Sequence, residues 1–533
     1  MRFVALAVFA ATALSVAPAS AQGGPKMEQV RARAAGEGDG PYRKLVIRGA
    51  MIIPGNGAPP VGPADIVVEG NRITAIEGAG TAGLPLKPDR EPRDADREID
   101  ATGMYVFPGM IDTHGHNGDP RKAPNASYGY KLWLAHGVTS VRGVPFYFGD
   151  VAQTMSDRSR SHANTIVAPR LIPYVVLGDG WSGGAVDTPE KARVWVRWAA
   201  KQGFEGVKLF NSEPPAVTAA AIDEARKLHL GTIAHLSQAG VANFNARHAG
   251  RAGLGTVTHF YGHFESLLKD RRLPTYPDDY NMADEQTRFG EIAALANQIV
   301  DPGGPEWNAY LREQLEHGVT FNPTLNIYSA SRDVMRAKNA DWQKYTLPSL
   351  WDFFQPNRDN HGSYWYDWTT GREIAWRRFY RPYMALMNDY KNIGGLVTAG
   401  SDPGYIYQSW GFSYIGELEM LQEAGFSPLE VMQAATYNGA LELYRPKGIE
   451  PPMGTVEVGK LADLVIVPEN PLQNFKTLYG TGFDRVGLDG KVSHVGGVKY
   501  TIKDGVVYDA QRLLADVAAM VAAQKAQRAA AGD

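Results

Sequence analysis

The sequence predicts an α/β protein, a (β/α)8 TIM barrel joined to a small composite β-sandwich domain formed by N- and C-terminal segments. Between residues 108 and 454, short apolar runs alternate with helical patterns, which is typical of parallel βαβ units. Eight predicted strands over this length fit a barrel with insertions. Residues 44–107 and 455–510 instead contain only short β runs separated by turn residues, so the two flanks are predicted to share one β domain.

Length and composition describe an ordinary globular protein. The chain has 533 residues, which suggests two domains. Its formal net charge of −3 provides no broad basic surface, so neither nucleic acid nor an anionic membrane is an expected partner. The chain has no cysteine, which excludes disulfides, zinc–thiolate sites and cysteine nucleophiles. Any metal ion must therefore be held by nitrogen and oxygen ligands.

The first residues predict a signal peptide over residues 1–21. Arg2 supplies a positive start, Phe3 to Val16 is apolar, and Ala19-Ser20-Ala21 has the small-x-small pattern of a cleavage site. The apolar stretch is too short to span a bilayer, and no later run is long enough. The alternative is a buried N-terminal helix. We expect an exported protein, periplasmic or secreted, cleaved after Ala21, with a linker over residues 22–43.

The predicted strands fall into two groups. In the β domain they begin at Leu45, Met51, Asp65 and Arg72, and later within 459–467 and 498–508. In the barrel, the strand that ends at His116 is followed by seven others: Val138–Arg142, Leu171–Val176, Gly206–Phe210, Gly231–His235, Thr256–His259, Val319–Phe321 and Gly395–Asp402.

Two further segments complete the predicted organisation. Residues from about 335 to 390 form an aromatic-rich insertion between the seventh and eighth strands. The insertion is either a lid that carries an aromatic pocket wall or an ordinary subdomain with its own aromatic core. Residues 511–533 are Ala-rich and predict a C-terminal helix or tail.

Polar residues at the ends of the barrel strands form a candidate ligand set. Because side chains i and i+2 of a strand share a face, His114 and His116 aim two imidazoles at one point. Lys208, His235 and His259 follow at intervals of 27 and 24 residues, each about one βα unit. Strand ends meet at the C-terminal face of a barrel, where active sites lie. The six residues of the set predict a metal site: His114, His116, Lys208, His235, His259 and Asp402.

Each member of the set has an ordinary interpretation when it is taken alone. A lone histidine is more often a core or surface residue, and Asp402 fits a turn-capping role in Ser401-Asp402-Pro403-Gly404. Lys208 lies in an apolar strand, where burial favours the neutral, nucleophilic amine. Such an amine could take up carbon dioxide as a carbamate, a bidentate oxygen ligand able to bridge two metal ions.

The sequence resembles the amidohydrolase superfamily over residues 44 to 508, and its imidazolonepropionase-like and prolidase-like branch most closely. Several motifs carry the resemblance: Pro108-Gly109-Met110-Ile111-Asp112-x-His-x-His, Val207-Lys208-Leu209-Phe210, His235, His259, Ser401-Asp402, Gly459-Lys-Leu-Ala-Asp463-Leu and Asn470-Pro-Leu. The set of motifs is highly specific, whereas no single one is.

The resemblance implies a centre of two divalent metal ions, usually Zn²⁺. His114, His116 and Asp402 would hold the more buried ion, His235 and His259 the more exposed ion, and carboxylated Lys208 would bridge both together with a hydroxide. The expected reaction is cleavage of an amide or peptide C–N bond by that hydroxide, in an N-acyl amino acid or dipeptide-like small molecule. Asp402 would accept the proton and pass it to the leaving amine.

Two residues depart from the family pattern. Arg142 stands in the second strand where relatives commonly carry Asp, and His263 follows His259 closely enough to replace or assist it. Tyr261, His263, Arg142 and Arg332 are the candidate substrate contacts.

Other functions remain open on the same scaffold. They include hydrolysis of cyclic amides, lactones or phosphoesters at the same centre, and a non-catalytic binding protein. Deamination is disfavoured, because mononuclear deaminases of the group generally lack the strand-4 lysine. The sequence is compatible with a homo-oligomer but does not determine the oligomeric state.

Overall fold

The computed structural model describes residues 27–210, 213–238, 240–271, 285–340, 342–356, 362 and 368–532. The predicted signal peptide lies outside these residues, as do Tyr364, Trp365 and Tyr366 of the aromatic insertion.

The strands of the described residues are β1 Leu45–Ile52, β2 Val61–Glu69, β3 Arg72–Gly78, β4 Arg97–Asp100, β5 Tyr105–Pro108, β6 Met110–Asn117, β7 Val138–Phe146, β8 Arg170–Val176, β9 Gly206–Leu209, β10 Gly231–His235, β11 Thr256–Thr258, β12 Thr320–Asn322, β13 Leu464–Val467, β14 Phe483–Val486, β15 Val492–Val495, β16 Tyr500–Lys503 and β17 Val506–Asp509. The α-helices are α1 Ser127–Ala135, α2 Val151–His162, α3 Pro189–Gln202, α4 Pro215–Lys227, α5 Ala246–Arg251, α6 Glu285–Ile292, α7 Pro305–Glu316, α8 Ser329–Arg332, α9 Val334–Lys338, α10 Pro348–Phe353, α11 Thr370–Asn392, α12 Phe412–Glu423, α13 Pro428–Ala435, α14 Tyr437–Tyr444 and α15 Ala510–Ala531.

Both ends of the chain contribute to one mixed sheet. Its strands run in the order β17-β16-β13-β5-β1-β2-β3, with β4 paired to β1. Alternate side chains such as Ile47, Ile66 and Ile466 are fully buried in its own apolar core. The sheet curls far enough that the backbone of Ile73 in β3 bonds to that of Gly459 and Lys460, just before β13. A composite β domain built from both termini therefore accompanies the barrel.

Strands β6 to β12 form a parallel barrel sheet in sequence order. The predicted eighth strand closes it, although it pairs through single bonds rather than a ladder. Phe321 of β12 bonds to the backbone of Leu396 and Thr398, and Asp402 N–H donates to the carbonyl of His114 in β6 at 2.8 Å. Gly400 permits this approach, since a Cβ there would lie 2.7 Å from the Cβ of His114. The predicted α/β barrel is thus confirmed, with residues 396–402 in contact with both of its edges.

The aromatic side chains of α11 belong to the barrel core. Trp376 and Phe379 are fully buried and pack on Phe260, which follows β11. The Tyr380 hydroxyl donates to the carbonyl of Leu325 at 2.7 Å. This part of the predicted insertion is therefore a helix of the barrel wall, between α10 and the closing segment, and it is neither a lid nor a separate subdomain. The density of aromatic residues suggested a separate unit, but a helix packed on a barrel wall also buries an aromatic face in the common core.

The segments next to the two domains are also packed. In the predicted linker, Val30 is buried and the Asp39 amide donates to Val507 in β17 at 2.9 Å. Helix α15 buries Leu513 and Val517. Of the helices that the structure describes, none has both the length and the apolar character that crossing a membrane requires.

Candidate active site

All six residues of the predicted ligand set lie at the C-terminal end of the barrel. Strand β6 carries two of them, and β9, β10, the residue directly after β11 and the closing segment carry one each. These residues are His114 and His116 in β6, Lys208 in β9, His235 at the end of β10, His259 directly after β11 and Asp402 in the closing segment. Parallel strands that begin at one end of a barrel finish at the same rim, so their last side chains face one another.

Asp402 is the centre of this arrangement. Its Oδ1 lies 3.2 Å from Nε2 of His116 and 3.8 Å from Nε2 of His114. Its Oδ2 lies 3.7 Å from Nε2 of His259. The His235 ring joins the group through His259, with 4.7 Å between ring centroids. Three imidazoles thus point one nitrogen each at a single carboxylate, and a fourth lies beside them.

Two members of the group adopt backbone conformations that are rare for residues with a side chain. His259 has φ of 64° and Asp402 has φ of 49°, both in the left-handed region. Each such residue costs about 1–3 kcal/mol and persists only where the surroundings hold it in place. The two turns aim both side chains at the barrel axis at the cost of local strain, which is common at functional sites.

The tautomer of His114 is determined by its neighbours. Its Nδ1 lies 2.8 Å from the hydroxyl of Thr258, and that hydroxyl donates its own proton to Oδ1 of Asn322 at 3.2 Å. The hydroxyl oxygen must therefore accept from His114 Nδ1–H. As a result Nε2 has no proton and presents a lone pair toward Asp402.

His259 is oriented by the same device. Its Nδ1 lies 2.5 Å from the hydroxyl of Thr324, which donates to the carbonyl of Pro323 at 2.7 Å. Nε2 of His259 is again the nitrogen that carries a lone pair, and it faces Asp402.

Lone pairs that face a carboxylate at these distances indicate a cation between them. Nitrogen lone pairs and carboxylate oxygens repel one another, and a divalent metal ion converts that repulsion into coordination. Burial lowers the pKa of His114 well below its usual range, and the nearby Lys208 lowers it further. The imidazole is therefore neutral and available as a ligand at neutral pH. His114, His259 and Asp402 form a group that fits a metal ion, with ligand atoms within 4.8 Å of one another.

Lys208 is 1% exposed in β9. Burial lowers the pKa of Lys208 to about 7, an effect that the nearby Asp402 partly opposes and that Arg142 reinforces. A substantial fraction of the amine is therefore neutral at neutral pH, which is the form that can react with carbon dioxide.

Arg142 forms the floor beneath the ligand set. It is 1% exposed, its guanidinium lies 2.6 Å from Glu442, and its Nε donates to the carbonyl of Thr113 at 2.6 Å. A guanidinium that is paired in this way is buried below the ligands, so the structure does not place Arg142 where a substrate would contact it. The arginine instead adds a fixed positive charge under Lys208 and His114.

Aromatic rings line both sides of the site. Tyr261 stacks on His235 with 4.4 Å between centroids. On the opposite side, Phe148 stacks on His116 at 6.3 Å, and Tyr405 meets the same ring edge-on at 5.7 Å. Phe148 is 56% exposed, so an apolar surface borders the candidate ligand set.

Two predicted substrate contacts lie elsewhere. His263 bonds through Nδ1 to the Tyr310 hydroxyl at 2.5 Å and packs on Phe321, in the core behind the barrel wall. Its ring is fully buried, and burial lowers its pKa to about 3. Arg332 lies 3.0 Å from Glu423 and lines a separate groove of about 720 Å³. The structure therefore brings His259, and not His263, to Asp402.

The residues that fix the histidine tautomers were absent from the sequence-based predictions. Thr258 precedes His259 directly, while Asn322 and Thr324 follow the seventh strand. Polar residues directly after a predicted barrel strand indicate a possible place in the site, and Asn322 and Thr324 stand in that position. Their role was hidden because a threonine or an asparagine is not itself a strong metal ligand.

Removing the Thr258 hydroxyl tests the orientation of His114. We expect Thr258→Val to weaken metal affinity by about 10–100-fold, the usual effect of losing a partner of a metal-ligating histidine. Thr218→Val is the matched control, because the Thr218 hydroxyl is buried and has no hydrogen-bond partner among the described residues. Competition with a chelator would measure both affinities, and equal affinities in the two variants would contradict this role for Thr258.

Comparison with known proteins identifies relatives of this arrangement. The model of the Amidohydrolase family matches residues 105–507. An adenine deaminase 2 of Agrobacterium fabrum is 34% identical over 123 residues, which are 23% of this chain and 18% of the deaminase. An N-acyl-D-aspartate deacylase of Alcaligenes xylosoxydans xylosoxydans is 29% identical over 210 residues, covering 34% of this chain and 39% of the deacylase. The chain thus matches less than half the length of either relative.

The structure is similar to that of a solved Xaa-Pro dipeptidase with methionine bound in its active site. The TM-score is 0.56 at 17% identity, and the match covers 87% of this chain and all of the dipeptidase. At that identity the likeness shows a shared fold.

Proposed function

The chain belongs to the amidohydrolase family, and from this premise we propose that it hydrolyses a C–N bond in an N-acyl amino acid or dipeptide-like small molecule. The proposal includes two divalent metal ions, with Zn²⁺ as the expected metal, and export after cleavage at Ala21. The observation that supports the metal-dependent reaction is that Nε2 of His114 and Nε2 of His259, both without a proton, face Asp402. The named deacylase and dipeptidase relatives support this choice of bond.

The proposed ligand set divides into two groups around Lys208. His114, His116 and Asp402 would hold one ion, His235 and His259 the other, and carboxylated Lys208 would contact both. When bound, such ions lower the pKa of water and polarise a carbonyl group.

Asp402 has the position of a proton carrier in this proposal. It lies among the proposed ligands, and 13% of its side chain is exposed. A carboxylate there can accept the proton of the attacking water and return it to the leaving nitrogen. The aromatic walls limit water near the bond being broken, which strengthens the electrostatic interactions of these groups.

A substrate screen with metal-reconstituted protein tests the proposal. The panel would hold N-acyl amino acids and dipeptides, with cyclic amides, lactones, phosphoesters and adenine as comparison substrates. We expect hydrolysis of an N-acyl amino acid or dipeptide that is abolished by chelation and restored by Zn²⁺, because imidazole nitrogen and carboxylate oxygen are ligands that Zn²⁺ accepts.

The other outcomes are equally informative. Turnover of lactones or phosphoesters alone would favour the alternative chemistry at the same centre. Release of ammonia from adenine alone would favour deamination, as in the named relative of Agrobacterium fabrum. Absence of any turnover by protein with its metal ions bound would overturn the proposed function.

A further inference from the structure

A buried lysine lies next to the ligand set without being part of it. Lys122 comes five residues after β6 and is 3% exposed. Its Nζ lies 3.3 Å from the ring centroid of Tyr405 and 4.7 Å from that of Phe353. Tyr405 in turn contacts His116, with 5.7 Å between their rings. The ammonium group is therefore one aromatic ring away from a proposed metal ligand.

The charge on Lys122 is incompletely balanced. Among the described residues, Asp119 is the only carboxylate within salt-bridge distance, at 3.7 Å. Asp119 already accepts two bonds from the Arg121 guanidinium, at 2.8 and 3.0 Å. Two cations thus share one carboxylate. Arg121 has 61% of its side chain in solvent, whereas Lys122 has almost none.

A buried cation without a full counter-ion is costly to a protein. Burial lowers the pKa of Lys122 to about 7, Arg121 lowers it further, and the charges of Asp119 and Asp402 oppose this only in part. An anion at Nζ would supply the missing charge and favour the protonated amine. The surrounding rings of Tyr405 and Phe353 exclude water, which makes such a contact stronger than one at an exposed lysine.

We propose that Lys122 binds the free carboxylate of the substrate and makes the enzyme selective for acylated amino acids or dipeptides over neutral amides. The inference rests on the proposed function and extends it to the substrate class. The net excess of one positive charge suits a monoanion, and the ammonium can donate charge-assisted hydrogen bonds to a carboxylate. The exposed Phe148, which stacks on His116, is suited to an apolar part of the same molecule.

A matched pair of substrates tests this role. One is an N-acyl amino acid hydrolysed by the wild-type protein, and the other is the N-acyl amine that lacks only the carboxylate. For the acid we expect Lys122→Met to raise KM by at least ~10-fold, the scale of a lost hydrogen bond to a charged group. For the amine, kcat/KM should stay within about 3-fold, because an interaction with the carboxylate is absent from it.

Two control variants accompany the test. Lys122→Arg keeps the positive charge and should recover part of the selectivity for the acid. Arg121→Gln leaves Asp119 to balance Lys122 alone, so we expect a smaller rise in KM for the acid than Lys122→Met gives, and no change for the amine. Thermal unfolding and metal content of each variant would report any change in folding or in the ligand set.

The outcomes separate this inference from the proposed function. An equal loss for the acid and the amine in Lys122→Met would overturn the carboxylate role, as would a wild-type enzyme that shows no preference for the acid. Absence of hydrolysis of both substrates with metal bound would count against the proposed function instead. Calorimetric titration of the N-acyl amino acid into wild type and Lys122→Met would then test whether Lys122 binds the carboxylate. Equal affinities of the two proteins would reject that role.

Discussion

Asp402→Asn is expected to lower kcat by at least ~10²-fold, the scale of general acid–base catalysis. An amide cannot accept the proton of the attacking water, although it has the same shape as the carboxylate. The variant should fold normally, because the backbone bond from Asp402 N–H to the His114 carbonyl remains. It should also keep much of its metal, since the four histidines are unchanged. Steady-state kinetics with metal analysis of the same sample would measure both effects.

Glu417→Gln is the matched control for this loss. Glu417 is a fully buried acid of α12, where it accepts a bond from the backbone N–H of Asn326 at 2.7 Å. Burial raises the pKa of Glu417 to about 8, so the side chain is mainly protonated at neutral pH and glutamine imitates that state. We expect activity near the wild-type value. Activity of Asp402→Asn close to that of Glu417→Gln would remove Asp402 from the proposed mechanism.

Lys208→Ala has the second large expected effect. If Lys208 is the proposed ligand between two ions, its loss should lower both metal content and activity, the activity by about 10–100-fold or more. If a carbamate occupies this position, short carboxylic acids added to the buffer should fit the space left by the side chain and restore part of the activity. Metal analysis and kinetics with and without acetate or propionate would measure the rescue.

Lys503→Met separates the ligand role from the general effect of losing a buried lysine. Lys503 is also fully buried, but it bonds to Ser161 and Asn164 at the other end of the barrel. Its replacement should lower thermal stability without altering metal content, and carboxylic acids should not rescue it. Full metal occupancy in Lys208→Ala would argue against a bridging role for that lysine.

The barrel and the convergence of its polar strand ends were accessible from the sequence for a simple reason. Each strand is a short apolar run, and parallel strands place their last residues at one rim. Strand β10 extends over Gly231–His235, as predicted, and β9 places Lys208 beside Ile233 of β10. Once strand ends are located in the sequence, the residues that face one another follow from topology alone.

Positions that depend on tertiary packing were not accessible in the same way. Gly262, at φ of 82°, turns the chain after Tyr261 and directs His263 into the helix layer instead of the site. Lys122 has no distinguishing pattern in the sequence, because the rings that bury it, Phe353 and Tyr405, are more than two hundred residues away. Sequence spacing describes one element at a time, whereas these environments arise where distant elements meet.

The role of Arg142 illustrates the same limit. Its departure from the family pattern was visible in the sequence, but its partner Glu442 lies three hundred residues further along the chain. A polar residue at a strand position can face the substrate or lie beneath the ligands, and the choice depends on which partner it finds. The buried ion pair with Glu442 holds Arg142 beneath the candidate ligands.

Metal content per chain is the most direct test of the two-ion centre. Elemental analysis of purified protein, after incubation with Zn²⁺ and removal of loosely bound ions, should give about two ions per chain. His235→Ala should hold fewer ions than the wild type, because it removes a ligand of one ion only. A wild-type protein that binds no divalent metal, or one whose metal content is unchanged in both His235→Ala and Lys208→Ala, would contradict the proposed centre.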